Sequence, residues 1–172
     1  TLLGGDTVNT TGPVAISITA IGELPDGTMI HRSGAKAGDL VYVTGTIGDA
    51  VLGLSLLRDK NSEKPALSEE HRTFLSCRHL RPTPRIDVIE LVRSYATASM
   101  DISDGLVADC EKLAQASVAG SDIEIVKVPL SDAARAWLVS DPTALETLLT
   151  GGDDYELLIT VQADQESEFK RA

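Results

Sequence analysis

Residues 97–106 read Thr97-Ala98-Ser99-Met100-Asp101-Ile102-Ser103-Asp104-Gly105-Leu106, and residues 150–157 read Thr150-Gly151-Gly152-Asp153-Asp154-Tyr155-Glu156-Leu157. In the first stretch a short strand, Thr97 to Ile102, runs into an acidic turn. Ser103 or Asp104 then caps a helix to about Ser117, with Leu106, Cys110 and Leu113 on one stripe. In the second a Gly-Gly turn opens a strand from Tyr155 to Val161. Strand, acidic turn and helix together predict an α/β (mixed α+β) domain.

The same mixture extends outward. Asp39 to Thr44 reads as a strand ended by Gly45, and Asp49 to Arg58 as a helix with Leu52 and Leu56 aligned. Residues 60–66 read as a loop. Ser68 is a good N-cap for a helix through His79, with Glu69 and Glu70 in its first turn. Arg81-Pro82-Thr83-Pro84-Arg85 breaks that helix, and another covers Ile86 to Tyr95. Arg78-His79-Leu80-Arg81 reads as a helix end rather than a site, since cations suit the C-terminal dipole. Beyond Gly120, Ile123 and Ile125 predict a strand closed by Pro129. Ser131 caps a helix through Leu138, and Asp141-Pro142 starts another with proline at its first position. Toward the N-terminus, Val14 to Ile21 alternates as a strand, and Pro25-Asp26-Gly27 is a turn and domain linker. This reading gives two units: 1–24, the end of an N-terminal domain, and 25–172, a C-terminal α/β domain. The chain starts at Thr1 rather than Met, its first seven residues read as the middle of a longer sequence, and the helix-like stretch to Ala172 has no Gly or Pro stop signal, so we expect a fragment cut at both ends.

With 42% hydrophobic residues and 24% charged, the chain is globular rather than disordered. Aromatics are only 3%, so Leu, Ile, Val and Ala must build the core. A net charge of −11 opposes nucleic-acid and anionic-membrane partners, which call for basic surfaces. An acidic protein still accepts a phosphorylated ligand when metal cations screen its carboxylates. Cys77 and Cys110 have neither metal spacing nor a disulfide framework, so a reduced, cytoplasmic setting is expected. No apolar run reaches the ~18 residues of a membrane span. Asn9-Thr10-Thr11 fits a glycosylation acceptor that goes unused without secretion. P-loop, dinucleotide, H-E-x-x-H and EF-hand patterns are all missing.

Three short acidic stretches carry the chemistry. In Gly4-Gly5-Asp6-Thr7, glycines let backbone N–H groups approach an anion and Asp6 can hold a metal; a turn capped by Asp6 explains the same residues. In Asp101-Ile102-Ser103-Asp104-Gly105, two carboxylates three apart at a strand-to-helix junction can face one point. Ser103 adds a hydroxyl and the helix start adds free N–H groups. Mg²⁺ takes one or two carboxylates, with phosphate oxygens and water completing its shell. Simple N-capping accounts for one of these side chains but not for the cluster. In Gly151-Gly152-Asp153-Asp154 the adjacent carboxylates need a cation nearby, or else form a solvated turn.

Six motifs occur in order: G-G-D-T (Gly4 to Thr7), R-S-G-A-K-A-G-D (Arg32 to Asp39), V-T-G-T-I-G-D-A (Val43 to Ala50), R-H-L-R-P-T-P-R (Arg78 to Arg85), D-I-S-D-G-L and G-G-D-D-Y-E-L. The set resembles the bacterial thiamine-monophosphate kinases, in the superfamily of aminoimidazole ribonucleotide synthetase and selenide, water dikinase. The resemblance implies the C-terminal domain of the aminoimidazole ribonucleotide synthetase-like fold, preceded by the last strand of an ATP-binding N-terminal domain that pairs across a homodimer. It implies phosphorylation of thiamine monophosphate by ATP with Mg²⁺ in the cytoplasm. Position by position, Gly5, Asp6, Arg32 and Ser103 match ATP contacts, and Asp6, Asp101 and Asp104 match metal ligands. Asp153 matches a substrate contact that is usually Glu. The family's remaining metal-binding acids match nothing in this sequence. Rival readings are a sister synthetase or dikinase activity, or a non-catalytic metal-binding or dimer-forming domain.

Overall fold

Three strands form one antiparallel sheet, in the order β1 (Leu40–Val43), β3 (Glu156–Val161), β2 (Ala96–Ile102). Leu40 lies opposite Val161 and Val43 opposite Leu158, while Ile102 of β2 lies opposite Glu156. The computed structural model describes residues 1–58 and 66–172. The loop expected over 60–66 therefore falls almost wholly outside the described residues.

The described residues form seven α-helices beside the sheet: α1 (Asp49–Arg58), α2 (Glu69–Leu80), α3 (Ile89–Tyr95), α4 (Leu106–Ala116), α5 (Asp132–Ser140), α6 (Ala144–Thr150) and α7 (Glu166–Phe169). β3 sorts its side chains by parity, as a strand must. Leu158 faces α4 in a core with Ile47, Ala98, Ile102, Leu106, Cys110, Leu113 and Leu149. Ile159 and Val161 face the other way, onto Phe169, Tyr42, Val92 and Tyr95. A second core joins the helices through Leu52, Leu56, Leu75, Ala134, Trp137 and Leu148. No helix among the described residues is long and apolar enough to cross a membrane.

The capping expectations at Ser68 and Ser131 hold: their hydroxyls accept from His71 N at 3.1 Å and Ala134 N at 3.0 Å. The turn at Pro25 also forms, with Thr28 N donating to the Pro25 carbonyl at 3.1 Å. Three expected features form differently. Val14–Ile21 is no strand; its apolar side chains are exposed, and no described strand offers it a ladder. Alternation supplies only a face, and pairing requires a neighbour. Ile123 and Ile125 are not in a strand either. Lys127 N closes on the Glu124 carbonyl at 2.8 Å, winding Ile125–Lys127 into a 3₁₀ turn. An open groove of about 790 Å³, lined in part by β1 and by residues 119–124 and 127–129, flanks this segment. Finally, α6 begins at Ala144. Pro142 sits in a preceding turn, where Asp141 accepts from Thr143 N at 3.1 Å.

Candidate functional site

The two acidic motifs meet at one end of the sheet. Tyr155 N donates to the Ile102 carbonyl at 2.8 Å, and Asp153 N donates to the Ser103 carbonyl at 2.9 Å. Two glycines permit this approach. Gly105 has φ +113°, and a Cβ there would strike the Thr150 carbonyl; one on Gly152 would strike that of Ser103.

The start of α4 is not capped by Ser103 or Asp104. Gly105 occupies the N-cap position without a side-chain bond. The fully buried Asp109 reaches back instead, its Oδ2 accepting from Ser103 N and Asp104 N at 2.9 Å each. A carboxylate at a helix start is favoured by the free N–H groups and the dipole. The cap is thereby filled from inside the helix, and the side chains of Ser103 and Asp104 are spared that role. Asp104 has a 67% exposed side chain and pairs with Lys112, whose ammonium also bonds Asp109 at 2.7 Å.

Tyr155 closes the second loop, just before β3. Its φ is +50° and that of Asp153 is +70°, a region non-glycine residues occupy only under constraint. The phenol is pushed above its ordinary pKa, first by the Asp153 charge, then by burial, by a hydrogen bond to Asp153, and by Asp101 and Asp104. Three of the residues singled out from sequence thus act on one half-exposed ring.

Beneath them lie residues that no motif reading found. Asp154 is buried and turned away from Asp153, accepting from Gly48 N at 2.7 Å and Ala50 N at 3.2 Å. Burial pushes its carboxyl up to about 6, against the pull of those two bonds. Neither alternative for the adjacent pair, a nearby cation or a solvated turn, describes both carboxylates: Asp153 is outside and Asp154 caps α1. Glu156, 0% exposed, is held by Arg78 at 2.6 Å, by Arg85 at 2.6 and 2.5 Å, and by Thr44 at 2.5 Å. Burial raises its carboxyl, but Arg85, Thr44 and Arg78 outweigh this and hold it below the usual glutamate range. Arg78 is thus not simply a helix-end cation. A signal existed in the sequence: Asp154, Glu156 and Leu158 share one parity, Asp153 and Tyr155 the other.

The N-terminal candidates stand apart. Gly5 and Asp6 are exposed, and among the described residues Asp6 accepts only from the adjacent Thr7 N, at 2.8 Å. Arg32 is exposed next to His31, whose carbonyl accepts from Ser99 N at 3.0 Å, so it sits by the edge of the strand bearing Asp101. Among the described residues, no three His, Cys, Asp or Glu side chains are grouped to hold one metal ion.

Residues 36–172 match the family model described as AIR synthase related protein, C-terminal domain. The chain belongs to that family. Its fold is the mixed α/β C-terminal domain expected from the motifs. A thiamine-monophosphate kinase of Salmonella typhimurium is 44% identical over 161 residues, which is 93% of this chain and 47% of that protein. The Aquifex aeolicus enzyme of the same name is 40% identical over 168 residues, 96% of this chain and 52% of the relative. The chain therefore spans about half the length of the curated relatives it matches. Among solved structures, a thiamine-monophosphate kinase from Stenotrophomonas maltophilia K279a superposes with a TM-score of 0.77 at 34% identity, over 86% of this chain and 47% of its own. A structure described as AaThiL complexed with AMPPCP and TMP gives 0.71 at 43% identity, over 79% and 43%. Escherichia coli HypE, at 20% identity and a TM-score of 0.66, shows the same fold alone.

Proposed function

We propose that this chain forms the C-terminal part of a thiamine-monophosphate kinase that transfers the γ-phosphoryl group of ATP to thiamine monophosphate. The observation that carries the reading is the stitched pair of loops, in which Asp153 N and Tyr155 N bond the Ser103 and Ile102 carbonyls and so join the Gly-Gly turn to the turn that bears Asp101 and Asp104. The relatives' names and the neighbour solved with an ATP analogue and TMP support it.

Direct phosphoryl transfer needs positioning and charge neutralisation more than covalent chemistry. The acceptor is a phosphate oxygen already ionised near neutral pH, so the site needs no strong base, and a cluster of carboxylates suits it. Asp101 and Asp104 offer hard oxygen donors, and Asp104 already faces a cation in Lys112. Asp101 and Asp104 are oxygen donors of the kind Mg²⁺ takes and would hold it, and the ion, when bound, would neutralise the phosphate charge; Asp6, assigned to the same ion, stands apart from them in this structure. Ser103, Gly5, Asp6 and Arg32 are assigned to ATP, Arg32 adding a fixed positive charge. Asp153 is assigned to the substrate, whose thiazolium ring is cationic. Residues 1–24 are assigned to the end of an N-terminal ATP-binding domain and residues 25–172 to the C-terminal domain. The whole enzyme is assigned to the cytoplasm, as a homodimer through the N-terminal domain.

The test is ADP release by the full-length protein supplied with thiamine monophosphate, ATP and Mg²⁺. Turnover that depends on all three supports the reading. No turnover with thiamine monophosphate, alongside turnover with another small phosphate acceptor, replaces it with a sister activity. No heat on titrating Mg-nucleotide leaves a non-catalytic domain.

A further inference from the structure

We propose that His79 is a positioning residue for the substrate carboxylate of Asp153, acting through its Nδ1 atom. This rests on the reading of Asp153 as the substrate contact. His79 lies in the last turn of α2, beside Arg78, which ties that helix end to the Gly-Gly loop through the Asp154 carbonyl at 3.2 Å and Glu156 at 2.6 Å. On its other side α1 packs close: a Cβ on Gly53 would sit 3.1 Å from the His79 Cβ. The imidazole is thus seated from two directions before it meets the loop.

His79 Nδ1 is buried and has no hydrogen-bond partner. Asp153 Oδ2 lies 3.9 Å from it. A buried ring nitrogen of this kind is uncommon, because unmet polar groups are costly. A shift of about 1 Å brings the pair into hydrogen-bond range. Asp153 has room to make it by side-chain rotation, since that side chain is 46% exposed. A substrate cation that draws Asp153 into register therefore leaves His79 Nδ1–H to hold the second carboxylate oxygen.

Asparagine places an amide nitrogen near the position of Nδ1, whereas glutamine places one near Nε2. Both keep a polar side chain at a partly exposed position. In the full-length protein, His79→Gln is expected to raise KM for thiamine monophosphate about tenfold, the scale of one hydrogen bond to a charged group. KM for ATP should stay put, and His79→Asn should recover most of the loss. In an Asp153→Ala background His79→Gln should add nothing further. If Asp153→Ala itself leaves KM for thiamine monophosphate unmoved, the reading of Asp153 fails. If Asp153→Ala raises it but His79→Gln does not, or Asn and Gln behave alike, the role of His79 alone fails. A measurement independent of variants is the ¹⁵N resonance of His79 Nδ1 on adding thiamine monophosphate without ATP. Movement supports the contact, and an unmoved resonance overturns it.

Discussion

Asp154 makes the stability of this domain depend on pH in a direction opposite to most paired carboxylates. Its carboxyl is raised from 3.8 to about 6, chiefly by burial. Between those values the folded chain holds a proton that the unfolded chain releases. Stability contributed by this group is therefore full below pH 4 and lost as pH rises toward 6 and beyond. A shift of this size corresponds to about 3 kcal/mol in all, of which about 2 kcal/mol falls between pH 4.5 and 7.5. Asp154→Asn removes the titration. It also turns an amide N–H toward Gly48 N or Ala50 N, a penalty of roughly 1–2 kcal/mol that does not vary with pH. The variant should therefore be less stable than the parent at pH 4.5, and the gap should close or reverse by pH 7.5. Urea unfolding at several pH values, followed by the fluorescence of Trp137, reads this directly; that residue is the chain's one tryptophan and is buried against the helices. Only the change in the difference between the two proteins matters, so other titrating groups cancel. A difference that stays constant with pH would refute the reasoning. One in which the parent gains with rising pH would show that the Gly48 and Ala50 bonds outweigh burial.

Four further outcomes follow from the site. Asp104→Asn in the full-length protein should cut kcat far more than it lowers the melting temperature, because the side chain is exposed and packs little; unchanged turnover at saturating Mg²⁺ would remove it from the metal site. Asp153→Ala should raise KM for thiamine monophosphate more than for ATP, and the reverse pattern would move it to the nucleotide side. Glu156→Leu should destabilise the chain by about 3–5 kcal/mol, since it leaves Arg78 and Arg85 without their buried partner; a loss below about 1 kcal/mol in urea unfolding would show that water replaces the carboxylate. The 172 residues alone should not release ADP, since Gly5 and Asp6 stand exposed and apart from the stitched loops; turnover matching the full-length protein would overturn the site as drawn.

Local rules read the element ends well because the physics there is local. Ser68 and Ser131 cap helices whose N–H groups lie three residues away, and α1 runs over the expected Asp49 to Arg58. What escaped was long-range. Arg78 and Arg85 meet Glu156 across more than seventy residues, and a helix-end role already explained Arg78 without that partner. Val14 to Ile21 shows the converse: a strand-like pattern does not supply the strand beside it. Three of the four buried acids were nonetheless signalled. Asp109 lies three residues after Leu106 and four before Leu113, on the apolar stripe, where a charge must find donors. Asp154 and Glu156 share parity with Leu158, and Asp101 alternates with the buried Ile102. Periodicity thus divides the acidic residues into two sets. Asp109, Asp154 and Glu156 spend their oxygens on backbone N–H groups, hydroxyls, Lys112 and arginines within the fold. Asp101, Asp104 and Asp153 do not point inward, and although Asp104 pairs with Lys112 at the surface, the carboxylates that solvent and a ligand can reach are the ones the inward pattern leaves over.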